Sequence, residues 1–423
     1  MEDYLKELAL KRAGFETAEA FLRAKGLSQS ALEQALMPYL LGYELYRVRQ
    51  GDTYGKIARE FGTSADAIMV ANPGRNPNNL QIGSVLVVPL DFPLVSDLAP
   101  MTWALCHHTL RGLNARYPFM ELKVIGTTAY GRALEQVKVG KGPRVVYYNA
   151  SHHANEWITT PTLLMCLEAY LRAIAFGEPL LGNEAQNLYE ETTLYLLPMV
   201  DPDGVDLVTG AANANEVAAA RVISEQYPDI PFPEGWKANL RGVDLNLNYP
   251  AKWEQAREIK FEQGYVSPAP RDYVGESPLS EPESQAMEQS TRALSPALTI
   301  AWHTQGQEIY YKFLDLEPEG ARALGQQMAL ASGYALQEVP YASSFAGYKD
   351  WFIQDFDRPG YTIEAGIGEN PLPLSQLPEI YRDNLPIFLL GLTGGVPGQA
   401  QEVPTTEKAE ETLAQNLSQV RWG

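Results

Sequence analysis

His153 and Glu156 stand three residues apart in the stretch Tyr147-Tyr148-Asn149-Ala150-Ser151-His152-His153-Ala154-Asn155-Glu156-Trp157. An imidazole and a carboxylate at that spacing can reach one metal ion from the same side. Two donors leave a catalytic zinc site incomplete, because such sites usually take three protein ligands and keep a position for water. The chain has five histidines: His107, His108, His152, His153 and His303. His107 and His108 lie in a helical pattern well before this stretch, which favours a packing or surface role. His303 ends the apolar run 298–302, and the carboxyl ends of strands are where α/β sheets gather ligand sites. It is the expected third ligand. His152, four residues before Glu156, competes with His153, but a spacing of three suits a turn from strand to helix. A zinc hydrolase also needs a carboxylate beyond the metal ligands to take a proton from water. Glu364 ends the buried-looking run Tyr361-Thr362-Ile363-Glu364, where an unpaired glutamate needs a reason. General base is the functional reading, and a structural ion pair is the alternative.

These residues need a scaffold. The β-rich run 145–148 leads into the His/Glu stretch, and Thr159-Thr160-Pro161 opens a helix pattern. Further strand-like runs fall at 193–198, 298–302, 308–311 and 360–364. Helical runs fall at 103–117, 161–176, 281–294, 321–333 and 377–393. Alternation of this kind from residue 101 to 397 predicts one large α/β domain.

The order and spacing of several motifs resemble the zinc carboxypeptidase family (M14, carboxypeptidase A-like). They are His153-x-x-Glu156, Pro198-x-x-Asp201-Pro202-Asp203-Gly204, Gly242-Val243-Asp244-Leu245-Asn246, Tyr273-x-Gly275-x-x-Pro278-x-Ser280-Glu281-Pro282-Glu283, His303 and Glu364. The resemblance implies a mixed β-sheet flanked by helices and one Zn2+ ion held by His153, Glu156 and His303. It makes Glu364 the general base and proton shuttle. Asp244 becomes the carboxylate that holds a ligand imidazole from behind, the usual partner of a metal histidine. The family stabilises the oxyanion with an arginine upstream of Asp-Leu-Asn, and both Lys237 and Arg241 are candidates for that place.

The departures bear on substrate. The family grips a C-terminal carboxylate with an Asn-Arg pair; here Asn246 is kept but Leu247 replaces the arginine, and leucine makes no bidentate carboxylate contact. Tyr341 falls near the position of the substrate-covering tyrosine. Lys349, just before Asp350-Trp351, takes the specificity position and favours an acidic group. Asp201 stands where the family usually has asparagine. Together these features resemble the γ-D-glutamyl-L-diamino acid endopeptidase branch, which cleaves the bond between γ-D-Glu and meso-diaminopimelate or lysine in peptidoglycan stem peptides. An ordinary metallocarboxypeptidase and a catalytically inactive wall-binding protein are the alternatives.

Residues 43–91 form a unit of their own. Strand, helix from Gly51-Asp52-Thr53, second helix, Asn72-Pro73 stop and closing strand follow in order, with Thr53 a natural N-cap. Val48-x-x-Gly51-Asp52-Thr53, Ile57-Ala58, Asn72-Pro73 and Gly83-x-x-Leu86-x-Val88-Pro89 resemble a LysM module, a βααβ domain of a kind that binds N-acetylglucosamine polymers. Residues 1–42 read as a small helical lead-in, 92–100 as a Pro-marked linker, and 398–423 as a tail or late-docking helix. The implied partners are peptidoglycan or its muropeptides at the peptidase and N-acetylglucosamine glycan at the LysM module.

With 423 residues, 45% hydrophobic and 20% charged, the composition is that of a folded protein. The net charge of −19 argues against nucleic acid, which needs a basic footprint. Two cysteines, Cys106 and Cys166, exclude a disulfide scaffold and disfavour a thiolate zinc cluster. No apolar run reaches the ~20 residues of a membrane span. No basic and then apolar leader is visible at the N-terminus, which points to the cytoplasm, or to spore or cell wall by another route.

Overall fold

The computed structural model describes residues 1–95 and 98–395. Three short helices come first: α1 (Asp3–Arg12), α2 (Ala18–Lys25) and α3 (Leu32–Leu41). The LysM-like unit follows as β1 (Tyr43–Arg47), α4 (Tyr54–Phe61), α5 (Ala65–Ala71) and β2 (Val85–Pro89), with β1 and β2 antiparallel. Thr53 caps α4 as expected, its Oγ1 accepting from Lys56 N at 3.2 Å. Asn72 explains the Asn-Pro stop. Its side chain accepts from Val87 N (2.9 Å) and donates to Val87 O (2.7 Å), stitching the end of α5 to the closing strand. A small core of Tyr46, Val48, Ile57, Ile68, Leu86 and Val88 fills the unit.

The rest is a mixed eight-stranded sheet with helices on both faces. Its strands are β3 (Glu121–Thr127), β4 (Ala133–Val139), β5 (Arg144–Ala150), β8 (Thr192–Leu197), β9 (Leu298–His303), β10 (Glu308–Tyr310), β11 (Ala335–Gln337) and β12 (Gly360–Glu364); β6 (Pro179–Leu180) and β7 (Asn183–Glu184) form a separate two-stranded ribbon. The order is β11-β10-β12-β9-β5-β8-β4-β3, and the central run β12-β9-β5-β8 is parallel throughout. Parallel strands covered on both faces read as continuous apolar runs, which is why β5, β9 and β12 stand out in the sequence. Successive side chains alternate faces. Tyr148 sends its hydroxyl to Phe388 O (2.8 Å) in the core under α7 (Thr159–Phe176) and α15 (Leu377–Thr393), while Tyr147 faces the opposite core. That second core lies under α12 (Pro282–Leu294) and α14 (Tyr348–Phe356).

The helical lead-in packs on the sheet domain. Leu5, Leu8, Phe21, Leu36 and Leu40 belong to the same buried cluster as Leu105, Leu110 and Leu113 of α6 (Trp103–Arg116). Arg116 fastens the junction. Its guanidinium donates to Gly42 O (3.1 and 2.9 Å), Leu90 O (2.9 Å) and Phe92 O (2.9 Å), and pairs with Glu168 at 3.4 Å. Gly42 and Leu90 are the entry and exit of the LysM-like unit, so one buried arginine holds both chain ends on the sheet domain. Arg116→Ala takes the cation from Glu168, which keeps only the Leu94 and Val95 N–H groups, and leaves Phe92 O without its donor; breaking a buried pair in this way costs about 3–5 kcal/mol. The expected result is a lower denaturant midpoint, against little change for the exposed pair Lys141–Glu190. The expected tail, 398–423, lies outside the described residues.

Candidate metal centre and active site

β5, β9 and β12 are parallel neighbours, so their carboxyl ends open on one edge of the sheet. His153, His303 and Glu364 all stand there, with Glu364 and His303 in register as direct cross-strand partners. Ser151, in the left-handed region at φ 51°, turns the chain out of β5. Its N–H and hydroxyl are held by Thr159 Oγ1, both at 3.0 Å. The 3-10 turn Ala154–Glu156 then brings Glu156 onto the side of His153.

Three donors converge. His153 Nδ1 lies 2.8 Å from Glu156 Oε1, His303 Nδ1 lies 2.9 Å from Glu156 Oε2, and the two Nδ1 atoms face each other at 3.2 Å. All three residues are buried, and their ligand atoms lie within 4.8 Å of one another. Two nitrogens bound to a tetrahedral zinc at about 2.0–2.1 Å stand about 3.3–3.4 Å apart. Two imidazoles and one carboxylate are also a donor set that zinc takes, so the residues fit the ion the motifs imply. Asp244 Oδ1 sits 3.0 Å from His153 Nε2. A proton on Nε2 shared with Asp244 leaves the Nδ1 lone pair for a metal.

Asp244 is fixed in turn. It caps the turn Leu245–Leu247 by accepting from Asn246 N (3.2 Å), and its Oδ2 accepts from Asp272 N (3.3 Å). Burial opposes its charge, but His153 and its hydrogen bond hold the carboxyl well below the usual range. Burial likewise pulls His153 down, yet the charges of Glu156 and Asp244 outweigh it and raise the imidazole to about 9. Glu364 is half-buried, and burial first, then the Glu156 charge, push it up to about 8. A cation between His153, Glu156 and His303 would reverse the second contribution and favour the base form.

His152 and His153 differ in where their rings point. His152 Nε2 bonds Tyr249 OH at 3.0 Å, and its ring stacks beside His303 rather than presenting a nitrogen to Glu156. Lys237 and Arg241 separate as clearly. Lys237 Nζ lies 3.5 Å from Glu156 Oε1 and is one-fifth exposed. Arg241 is half exposed and turns to Glu281 at 3.5 Å, away from the donor cluster. Burial works against the Lys237 charge, but Glu156 and Asp244 offset it and raise its pKa. Lys237→Ala is expected to lower kcat about 10²–10³-fold, the loss typical of one oxyanion donor, against less than about threefold for Arg241→Ala, as for an exposed pair. Equal losses would return Arg241 to candidacy.

The expected substrate contacts are only partly assembled. Asn246 Oδ1 accepts from Tyr348 N at 3.0 Å, which places it at the start of α14. Leu247 packs half-buried against the second core. Tyr341 is 69% exposed on a 3-10 turn and packs edge-to-face on Phe345, with no contact to the donor cluster. Lys349 departs from expectation. It is buried, pairs with the adjacent Asp350 and donates to Lys312 O at 2.7 Å, so its charge is already answered from within the chain. Asp201 has a plain role as N-cap of α9 (Pro202–Thr209), accepting from Gly204 N at 3.0 Å. Burial, and then Glu283, push its carboxyl well above the usual range, and a protonated aspartate offers a donor and an acceptor as asparagine does.

One nearby residue carried no motif. Pro270 O accepts from Lys237 N (2.8 Å) and Ala238 N (2.9 Å), and Asp272 N bonds Asp244. Arg271 lies between these anchors, 40% exposed, with Nε on Asp272 Oδ2 at 2.7 Å. The faint sequence signal was a basic residue in a proline-marked loop.

A mixed α/β sheet that gathers a His-Glu-His donor set and a flanking glutamate at the carboxyl ends of its parallel strands has the make-up of a metallohydrolase. Residues 106–387 match the zinc carboxypeptidase family, Peptidase_M14, and the chain belongs to that family. Residues 46–89 match the LysM domain. The chain is 41% identical over 303 residues to γ-D-glutamyl-L-diamino acid endopeptidase 1 of Lysinibacillus sphaericus, covering 72% of this chain and 75% of the relative. It is 41% identical over 272 residues to the Bacillus subtilis protein YqgT, covering 63% and 70%. The carboxypeptidase A of Helicoverpa armigera shares the fold, with a TM-score of 0.53 at 18% identity, over 93% of this chain and 88% of that one. No helix among the described residues is long and apolar enough to cross a membrane.

Proposed function

We propose that this chain is a zinc-dependent peptidase that hydrolyses the bond between γ-D-glutamate and a diamino acid, meso-diaminopimelate or lysine, in peptidoglycan stem peptides. Its LysM module holds N-acetylglucosamine glycan and raises the local concentration of attached peptides. The observation that carries the reading is the His-Glu-His donor set in a chain that has leucine at position 247 and also a LysM module. The machinery for hydrolysis is kept while the arginine that grips a free C-terminus is gone. The name of the Lysinibacillus relative points the same way.

Zinc at His153, Glu156 and His303 would supply Lewis acidity, acidifying water towards a pKa of about 7 and polarising the scissile carbonyl. Glu364 takes the proton from the attacking water and hands it to the leaving amine. The Lys237 ammonium faces the oxygen on which charge develops. Asp244 keeps His153 in the tautomer that presents Nδ1.

Digestion of L-Ala-γ-D-Glu-meso-diaminopimelate by the zinc-loaded protein tests this, read by mass spectrometry. The expected products are L-Ala-D-Glu and free diaminopimelate. An uncut γ bond, alongside release of C-terminal residues from α-linked peptides, would make the chain an ordinary carboxypeptidase. No cleavage of either, with glycan still bound, would leave a wall-binding protein.

A further inference from the structure

A γ-linked D-glutamyl residue differs from an α-linked one in a way a protein can read. Its α-carboxylate stays free, as an anion on the acyl side of the scissile amide. The chain must answer that charge, and the cations expected to do so are engaged elsewhere. Leu247 carries none, Lys349 is closed by Asp350, and Arg241 is turned to Glu281.

Arg271 remains. Its backbone is pinned on both sides of the metal centre, through Pro270 O to Lys237 and Ala238 N–H and through Asp272 N–H to Asp244 Oδ2. Its Nε is spent on Asp272, which orients the guanidinium. Asp272 also takes Lys260 Nζ at 2.5 Å, so its carboxylate is shared between two cations. Among the described residues the two terminal amino groups of Arg271 have no hydrogen-bond partner. They form a planar fork of the shape that binds a carboxylate with two parallel bonds.

We propose that Arg271 is the specificity residue of this site, gripping the free α-carboxylate of the γ-D-glutamyl residue on the acyl side of the bond to be cut. The assignment rests on the γ-D-glutamyl reading above. It gives that reading a physical basis: an α-linked residue spends its α-carboxyl in the scissile amide and presents no free α-carboxylate to the guanidinium. Arg271 thereby takes up an anion-binding task on the acyl side, while the leaving side lacks an arginine at position 247.

The test pairs two peptides with two variants. One peptide carries γ-D-Glu with its free α-carboxylate, and the other γ-D-isoglutamine, with the same linkage and an uncharged α-carboxamide. The wild type is expected to prefer the carboxylate in kcat/KM by about 10- to 100-fold, the range for a hydrogen-bonded charge pair. Arg271→Gln should collapse that preference to near unity, mostly through KM, and Arg271→Lys should restore part of it. Zinc content and melting temperature of each variant report whether the fold survives. A preference that persists in Arg271→Gln, or equal slowing of both peptides, overturns the assignment and leaves Arg271 a brace for Asp272. If the wild type cuts neither γ bond, the functional reading fails, and the anchor fails with it. If it cuts both equally, only the anchor fails.

Discussion

Glu364→Gln is expected to cut turnover about 10²–10⁴-fold, the range for loss of a positioned general base, while the protein keeps its zinc. The structure leaves Glu364 little else to do. It ends β12 directly beside His303, and Ala365 N bonds His303 O at 2.8 Å, so its position is set by backbone pairing that glutamine preserves. Among the described residues no cation lies within ion-pair distance of it, which removes the structural ion pair as its reason for being there. Burial and the Glu156 charge favour its protonated form, and a metal cation favours the ionised one. Zinc per chain and kcat, measured together on one sample, separate the outcomes. Loss of turnover with full zinc identifies the base. Loss of both would make Glu364 a support of the metal centre, and full turnover would place the base elsewhere.

The parts of this site that the sequence disclosed are those where chemistry limits the choice. With five histidines in the chain, a metal site of two imidazoles had few ways to be built, and the apolar parallel strands marked the edge where the ligands meet. Asp244 was legible only through the family resemblance, since nothing in its local sequence says which imidazole it faces. What stayed hidden depends on the direction in which a turn faces. Lys237 and Arg241 are four residues apart, and only the distant partner Glu281 draws Arg241 away. Lys349 looked like a free pocket cation, yet its neighbour Asp350 neutralises it. Strands β3, at the sheet edge, and β4, beside it, are hard to see in the sequence because residues such as Glu121, Lys123, Glu135 and Lys138 break their apolar pattern. The lead-in helices carry an apolar stripe, and such a stripe does not say what it covers. Here it covers α6.

The metal centre offers the second large effect. His303→Ala removes one of three donors and leaves His153 and Glu156, an incomplete pair for a catalytic zinc. Activity should fall to background, and zinc should be lost on dialysis. The stabilisation that zinc gives the wild type, RT ln(1 + [Zn]/Kd), should vanish from the melting curve at the same time. Asp244→Asn is the informative contrast. All three donors remain, but the charged acceptor that fixes the His153 tautomer is lost, which typically weakens metal binding about 10–100-fold. Excess zinc should therefore restore much of the activity of Asp244→Asn and none of that of His303→Ala. If His303→Ala kept stoichiometric zinc and turned over, another donor would complete the site. His152, whose buried Nδ1 has no partner, would be the first to examine, since it stacks directly on the His303 ring.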